Sequence, residues 1–232
     1  MIAAITPMLQ PLRHVAVGAS SPIPASAALL ARHLSGGRLR VSLLGSVANN
    51  PFTDGGRELF DCAAQGRIDG FFLSGGQIDG RANINLMGLG TYPNLETRFP
   101  GTFGSAYLYH IIPRVILFRE EHSPRTLVDR VDFVSANGVS VDGVWRSGGP
   151  YALVTGLCVM HFRPEAGRFA LASVHPGVTA EDVRAQTGFD YDAPDAIETT
   201  AVLSPDIEVL LKGPIADQVA ELYPQFASAL RG

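Results

Sequence analysis

Short apolar segments separated by glycine-, proline- and polar-rich turns divide the first third of the chain. The apolar stretches 15–17, 39–44 and 68–73 predict three buried strands. Between them, the segments 24–33 and 57–64 have helical composition. The order strand–helix–strand–helix–strand predicts a parallel sheet with helices on its faces.

The stretch from Gln77 to Pro100 interrupts this alternation. It has little periodicity and many Gly, Asn and Pro residues. Long segments of this kind in compact domains are usually functional. After it, the pattern predicts a helix over 105–112 and a strand over 115–118.

The second half of the chain predicts a β-rich section. The segments 151–162 and 168–174 predict paired strands around the turn 164–167. Thr179 begins a capping-box-like helix start, Ser204 precedes a proline at the first helical position, and the chain is helical in composition from residue 214. The expected fold is α/β, a parallel sheet flanked by helices with an added β-rich section, in one domain over 1–232.

Charge and apolar run lengths exclude several classes of protein. The formal net charge is −4, which argues against the basic face of a nucleic-acid-binding protein. The longest apolar run, Tyr151 to Met160, is about half of the ~20 residues that span a bilayer. The N-terminus has no basic region typical of a secretory signal, so we expect a cytoplasmic protein without membrane contact. Cys62 and Cys158 form no motif and are expected to be buried thiols.

No single motif assigns an enzyme class. The glycine-rich nucleotide loops, the Gly-x-Ser-x-Gly elbow and the His-Glu-x-x-His metal motif do not occur. Glu120, Glu121 and His122 are the densest cluster of possible metal ligands, but a solvated charged turn is the simpler interpretation. We therefore expect no metal.

The succession of several segments is more specific than any motif. In chain order these segments are Leu73–Asp79, Asn83–Asn85, Phe99–Ser105, Arg114–Phe118, His122, Val131–Val134, Gly177–Val183 and Thr187–Phe189. Over about residues 13–211 they resemble the beta subunit of family I coenzyme A transferases, including the glutaconate and 3-oxoacid types. The resemblance implies the NagB/RpiA/CoA transferase fold. It also implies a homologous alpha subunit, in a heterodimer or an α2β2 tetramer, with the active site at the interface. The substrate would be an acyl-CoA, so CoA enters as part of the substrate and no separate cofactor is implied.

Two departures from the transferase pattern point to different chemistry. Transferases of this family attack the thioester with a glutamate in the loop after the second strand, a form of nucleophilic catalysis. Here the loop 43–51 contains no carboxylate, and Asp54 and Glu58 follow later. The Gly-Gly-x-x-Asp element of the transferases has Phe103 and Tyr107 in place of its first glycine and its aspartate.

One branch of the family combines this scaffold with hydrolysis. The segments Ile84–Gly88, Gly101–Ser105 and Tyr107–His110 look like the beta subunit of the cholesterol ring-cleaving hydrolases of the IpdAB type. That resemblance implies C–C hydrolysis of a cyclic 1,3-dicarbonyl acyl-CoA late in steroid degradation, with the catalytic base on the alpha subunit. Two alternatives stay open: an acyl-CoA:carboxylate CoA-transferase using Asp54 or Glu58, and a non-catalytic structural subunit.

The first group of candidate substrate-binding residues lies in two loops that follow strands. Asn49 and Asn50 are candidates for hydrogen bonding to substrate, and ordinary turn chemistry before Pro51 is their alternative. Gly75 and Gly76, followed by Gln77, place backbone amides where they could face a thioester or enolate oxygen. A tight turn with positive φ is the alternative for the two glycines.

The second group surrounds the predicted helix 105–112. Thr102, Phe103 and Gly104 precede it, so its N-terminal amides would suit an anionic intermediate, or the three residues only form a turn. Tyr107 and His110 are three residues apart and share a helix face. His110 could donate to the substrate or be a satisfied core histidine. We interpret His122 as structural.

Overall fold

The protein, in a computed structural model that describes all 232 residues, divides into two compact units. The first comprises Met1–Phe72 and Ala201–Gly232, and the second comprises Leu73–Thr200. Each unit is described by itself below. The expectation of a single domain stays a prediction.

Three parallel strands form the sheet of the first unit. They are β1 (His14–Val17), β2 (Arg40–Leu43) and β3 (Gly70–Leu73), in the order β2-β1-β3. Every residue of β1 is buried, as expected for a parallel strand covered on both faces. The predicted parallel sheet is therefore confirmed for this part of the chain.

Three helices accompany these strands. They are α1 (Ile2–Leu9), α2 (Pro22–Leu34) and α3 (Gly55–Ala64). Helix α2 begins with Pro22 at its first position and is buried from Ile23 through Ala31, which explains its Ala- and Leu-rich composition. Helix α1 was not predicted, because it contains Pro7 and lacks a side-chain cap. Tertiary packing stabilises it, since Ile5 and Leu9 are fully buried.

The second unit begins with the stretch in which the sequence showed little periodicity. Two short antiparallel pairs occupy it: β4 (Gln77–Ile78) with β5 (Ile84–Asn85), and β6 (Gly88–Leu89) with β7 (Thr97–Arg98). Two-residue strands cannot produce a readable alternation, which is why the sequence did not reveal them. The predicted helix and strand that follow are confirmed as α4 (Ser105–Ile111) and β8 (Arg114–Arg119).

The β-rich section is present, but one of its predicted strands was wrong. The segment 151–162 forms two antiparallel strands, β9 (Pro150–Thr155) and β10 (Cys158–Arg163), and β10 pairs with β11 (Arg168–Val174). The intervening turn at Gly156–Leu157 lies inside an apolar run, so hydropathy does not mark it. Strand β9 is parallel to β8, and the predicted turn 164–167 is confirmed.

Helical elements complete both units. Helix α5 (Ala180–Gln186) begins with the predicted capping box: the Thr179 hydroxyl accepts from the Asp182 N–H, and the Asp182 carboxylate accepts from the Thr179 N–H. Strand β12 (Glu198–Thr199) pairs with β11. The C-terminal part contains α6 (Pro205–Leu210), a π-helical turn (Leu211–Ile215), α7 (Ala216–Val219) and α8 (Pro224–Arg231). None of these helices is long and apolar enough to cross a membrane.

Candidate active site

The loop between β2 and α3, residues 44–54, is an ordered turn that carries Asn49 and Asn50. The Asn49 carbonyl accepts from the Leu43 N–H at 2.9 Å, and the Asn49 N–H donates to the Ser46 hydroxyl at 2.8 Å. The Oδ1 atom of Asn49 accepts from Arg32, and that of Asn50 accepts from the Phe52 N–H. The Nδ2 groups of both residues make no hydrogen bond within the protein, so each amide retains donors for a ligand.

A cavity of about 590 Å³ opens beside this loop. Asn49 and Asn50 line it together with Arg32 and Arg40. Arg32 donates to Asn49 at 2.9 Å and to Gln218 at 2.6 Å. Partial burial lowers the pKa of the Arg32 guanidinium, which nevertheless stays charged. The cavity therefore combines amide donors with two cations, a composition suited to an anionic group.

A carboxylate from the C-terminal part of the chain binds this loop. The Glu221 Oε2 atom accepts from the Ser46 hydroxyl at 2.6 Å, and its Oε1 atom accepts from the N–H groups of Val47 and Ala48. These hydrogen bonds lower the pKa of Glu221. The loop thus contains no carboxylate of its own, but it holds one from 173 to 175 residues away in the chain.

The two acidic residues that follow the loop are engaged at the start of α3. Asp54 pairs with Arg57 at 3.1 Å, with both side chains exposed. The Glu58 Oε2 atom accepts from the N–H groups of Thr53 and Asp54 and from the Thr53 hydroxyl. These bonds lower the pKa of Glu58. Both carboxylates are therefore held by their own helix terminus.

Close packing, not an unusual backbone conformation, requires the two glycines after β3. The expectation of positive φ was wrong, because neither Gly75 nor Gly76 has it. A Cβ atom on Gly75 would lie 2.4 Å from Ile84 Cγ2 and 2.8 Å from the Gln77 carbonyl oxygen. A Cβ atom on Gly76 would lie 2.1 Å from the Phe99 ring. Any side chain here would therefore displace its neighbours.

The peptide group between Gly75 and Gly76 is fixed at both of its polar atoms. The Gly75 carbonyl accepts from Arg119 Nη1 at 3.0 Å, and the Gly76 N–H donates to the Asn85 carbonyl at 2.9 Å. Of the two backbone amides considered from the sequence, that of Gly76 is therefore not available to a substrate.

Gln77 lies in the same turn and is nearly fully buried, with 6% of its surface exposed. Its Oε1 atom accepts from Asn85 Nδ2 at 2.8 Å and from the Asp132 N–H at 2.9 Å. Asn85 also donates to the Gly88 carbonyl and accepts from the Met87 N–H. The Gln77 side chain is thus held in one orientation.

The turn before α4 contains a non-glycine residue with positive φ. Phe103 has φ 41°, and its side chain is 78% exposed. Such a conformation is uncommon for a bulky residue, which explains why the transferase pattern has glycine at this place. Gly104 follows with φ 80°, and the Thr102 carbonyl accepts from the Ser105 N–H at 2.7 Å. The three predicted residues therefore form a tight, strained turn.

Tyr107 and His110 lie on α4 as expected, and both are partly exposed. Tyr107 is 44% exposed. The His110 Nε2 atom lies 2.6 Å from the Trp145 carbonyl, so this nitrogen carries the proton and donates. His110 is half-buried rather than a core residue.

The second unit brings most of the predicted residues together. Phe99, two residues before Gly101, covers Gly76, and the N–H groups of Phe99 and Gly101 donate to the carbonyls of Met87 and Leu86. These contacts join the turn Gly75–Gln77 to the segment that leads to Thr102, Phe103 and Gly104. Asn49 and Asn50 belong to the first unit and form their own cluster.

His122 is structural, as expected. Thr187 donates its hydroxyl proton to the Val183 carbonyl, so it accepts from His122 Nε2 at 2.9 Å. The other ring nitrogen, Nδ1, accepts from the Thr155 hydroxyl at 2.7 Å. Burial lowers the pKa of His122 to about 4 and raises the pKa of Cys158 to about 12. Both cysteines are free and buried, which confirms the prediction for them.

This buried imidazole predicts a pH dependence of stability. His122 must be neutral in the folded protein, whereas in the unfolded chain it takes up a proton near pH 6.5. The free energy of unfolding should therefore fall as pH decreases from about 6.5 to about 4, by up to ~1.4 kcal/mol per pH unit for this one group. In urea titrations between pH 7 and 5, we expect His122→Gln to reduce this slope. The exposed His33→Gln should leave it unchanged, and an unchanged slope in His122→Gln would contradict the assignment.

Glu121, beside His122, lies in a cluster of charged residues. It accepts from Arg125, Ser123 and Arg119, and these bonds lower its pKa to about 2. Glu120 and Glu121 thus belong to a charged turn, as expected. No group of three or more potential metal ligands occurs in the structure.

The fold and this site define a class: an α/β subunit with glycine-cradled turns of the kind expected from acyl-CoA enzymes. The sequence profile of the family described as coenzyme A transferase matches residues 2–186. The chain belongs to the coenzyme A transferase family.

Comparison with individual proteins agrees with this assignment. One of the two subunits of the 3-oxoadipate CoA-transferase of Pseudomonas knackmussii is 35% identical over 144 residues, which are 59% of this chain and 54% of the relative. The chain spans about half the length of the curated relatives it matches. Among solved structures, glutaconate coenzyme A-transferase from Acidaminococcus fermentans has a TM-score of 0.79 at 21% identity, with 92% of each chain covered. Rhodococcus jostii RHA1 IpdAB has a TM-score of 0.77 at 22% identity, covering 92% of this chain and 93% of that one. The predicted CoA-transferase-like fold is thereby confirmed.

Three residues of the site were not found from the sequence. Glu221 and Arg119 act through long-range contacts, which no local pattern encodes. Asn85 belonged to a segment that carried the family resemblance, and its amide type near a Gly-rich turn is the only signal that could have singled it out.

Proposed function

We propose that this chain is the beta subunit of a heteromeric enzyme that opens a ring of a cyclic 1,3-dicarbonyl acyl-CoA by C–C hydrolysis. The observation that carries the proposal is the state of the carboxylates around the β2–α3 loop. Asp54, Glu58 and Glu221 are each bound by N–H or O–H donors or by an arginine. A carboxylate held in this way is a weak nucleophile, because its lone pairs and charge are already engaged.

The comparisons support both a partner and the choice between two reactions. The relatives named above include one subunit of a CoA-transferase and a multi-subunit enzyme, which favours an alpha subunit as the partner of this chain, in a heterodimer or an α2β2 tetramer. The likeness to IpdAB favours the hydrolase. The similarity of sequence to CoA-transferase subunits favours an acyl-CoA:carboxylate CoA-transferase as the second candidate. A non-catalytic structural subunit is a third.

The reaction proceeds without a nucleophile on this chain. A general base, which we place on the alpha subunit, removes a proton from water, and the water oxygen forms a bond to the ring ketone carbon. Collapse of the adduct breaks the C–C bond to the carbon next to the thioester. That electron pair forms the thioester enolate, which then takes up a proton. The products are a new carboxylate and an open-chain CoA thioester.

In this account the present chain supplies binding and shape. The Gly75–Gly76 turn brings the backbone close to the substrate, and Tyr107 and His110 offer polar groups along one face of α4. Asn49 and Asn50 offer Nδ2 donors beside the arginines of the 590 Å³ cavity. CoA takes part only as a portion of the substrate, and the reaction needs neither a metal nor a redox cofactor.

The carboxylates provide the test that separates the two enzymes. In a complex of this chain with its alpha subunit, we expect Asp54→Asn, Glu58→Gln and Glu221→Gln to keep ring-opening kcat within about tenfold of wild type. Gln at position 221 can still accept from the two N–H groups of the loop and donate to Ser46, so the loop should keep its shape. Steady-state kinetics on a cyclic 1,3-dicarbonyl acyl-CoA measures the effect.

The exposed Asp61 on α3 offers a matched control, because Asp61→Asn removes one negative charge away from the loop. If one of the three variants abolishes turnover while Asp61→Asn does not, that residue is the nucleophile and the transferase replaces the hydrolase.

A further inference from the structure

The side-chain amide of Gln77 is buried, oriented and only half used. Both hydrogen bonds of the side chain end on Oε1, from Asn85 Nδ2 and the Asp132 N–H. A backbone N–H can only donate, so the atom opposite Asp132 must be the amide oxygen. This fixes the other end of the group as Nε2.

The Nε2 atom makes no hydrogen bond within the protein, although Gln77 is 6% exposed. It also does not belong to the fully buried polar atoms that lack a partner, of which Ser140 Oγ is the sole example. Nε2 therefore reaches the surface of the protein from an otherwise buried side chain. An N–H pair that is nearly desolvated and held rigidly is costly unless something accepts from it.

The surroundings of Gln77 are those of a binding site rather than of a random surface gap. Gln77 directly follows Gly75 and Gly76, whose peptide group is held by Arg119 and Asn85. A donor whose position is fixed before the ligand arrives is the arrangement that stabilises a developing negative charge on oxygen.

We propose that Gln77 Nε2 donates a hydrogen bond to the thioester carbonyl oxygen of the acyl-CoA as it becomes an enolate oxygen. This inference rests on the proposed function, because it requires an acyl-CoA substrate. Asn85 fixes the rotamer of Gln77 and does not touch the substrate. The transferase would use the same contact, since a thioester oxygen also gains charge when a carboxylate attacks.

Gln77→Glu isolates the donor from the structural role. One carboxylate oxygen can still accept from Asn85 and Asp132, whereas the other replaces the donor by an acceptor. At pH 7.5 we expect kcat/KM of the complex to fall by about 10²- to 10³-fold, the usual cost of removing one such donor. As the pH is lowered, the substituted carboxyl takes up a proton and regains an O–H donor. Activity relative to wild type should then recover, which loss of a purely structural contact would not produce. The exposed Gln65→Glu adds the same charge elsewhere and should behave as wild type.

A second measurement uses the unsubstituted protein. In the complex with isotopically labelled glutamine side chains, saturating acetyl-CoA should shift the Gln77 Nε2–H resonances and leave those of Gln218 in place. This measurement decides the proposal if Gln77→Glu does not fold.

The outcomes separate the two claims. Unchanged kinetics in a folded Gln77→Glu complex, or Gln77 resonances that do not respond to acetyl-CoA, would overturn the role of Gln77 while the proposed function stands. A wild-type complex that neither opens the ring nor transfers CoA, and does not bind acetyl-CoA, would overturn both.

Discussion

Gly75→Ala is expected to remove most of the activity of the assembled enzyme and to destabilise this chain. The added methyl group would overlap the Ile84 side chain and the Gln77 carbonyl, and a backbone atom cannot move aside as a side chain can. Overpacking of this kind costs about 1–3 kcal/mol of the free energy of unfolding. Displacing the turn by about 1 Å can cost about 10²-fold in rate. Urea unfolding and steady-state kinetics measure the two effects.

The neighbouring glycine supplies a control with a built-in rescue. Gly76→Ala would overlap only the ring of Phe99, so Gly76→Ala combined with Phe99→Ala should regain stability relative to Gly76→Ala alone. Gly75 has no comparable single partner. If Gly75→Ala is as stable and as active as wild type, the close approach at this turn is not what the site requires.

Arg119→Gln is expected to lower kcat about tenfold or more with little change in KM. Arg119 bonds the Gly75 carbonyl at 3.0 Å and lies 3.3 Å from Glu121, with its side chain 30% exposed. It does not reach the substrate in our account, so it is a positioning residue that holds the Gly75–Gly76 peptide. Losing this bond leaves a carbonyl without its donor and lets the turn relax.

The matched control for this prediction is Arg163→Gln. Arg163 is more exposed and pairs with Asp192 at 3.5 Å, so its loss should change neither constant. Equal kinetics for Arg119→Gln and Arg163→Gln would contradict the positioning role.

Local signals in the sequence were enough for the elements that such signals define. The capping box at Thr179 and the proline after Ser204 placed α5 and α6 correctly, because each depends on residues within one helical turn. The apolar run 151–162 was wrong as a single strand, since apolar residues continue through the turn at Gly156. Tertiary packing decided α1, which its own composition did not predict.

The candidate site shows the same division. The resemblance to a known family indicated the glycine turn, Gln77 and the turn at Phe103, and the structure gives each a physical reason. It did not indicate that close packing by Ile84 and Phe99 requires the glycines. Nor could it reveal Glu221, whose contact with Ser46 spans 175 residues of chain.

The central claim is that this chain and its alpha subunit open a ring with water and form no acyl link to a carboxylate of this chain. The most direct test supplies the complex with a cyclic 1,3-dicarbonyl acyl-CoA in ¹⁸O-labelled water, with free carboxylate acceptors present, and analyses the products by mass spectrometry. We predict a ring-opened CoA thioester with ¹⁸O in its new carboxylate. CoA transferred to the acceptor, with the ring intact, would contradict the account and identify a transferase.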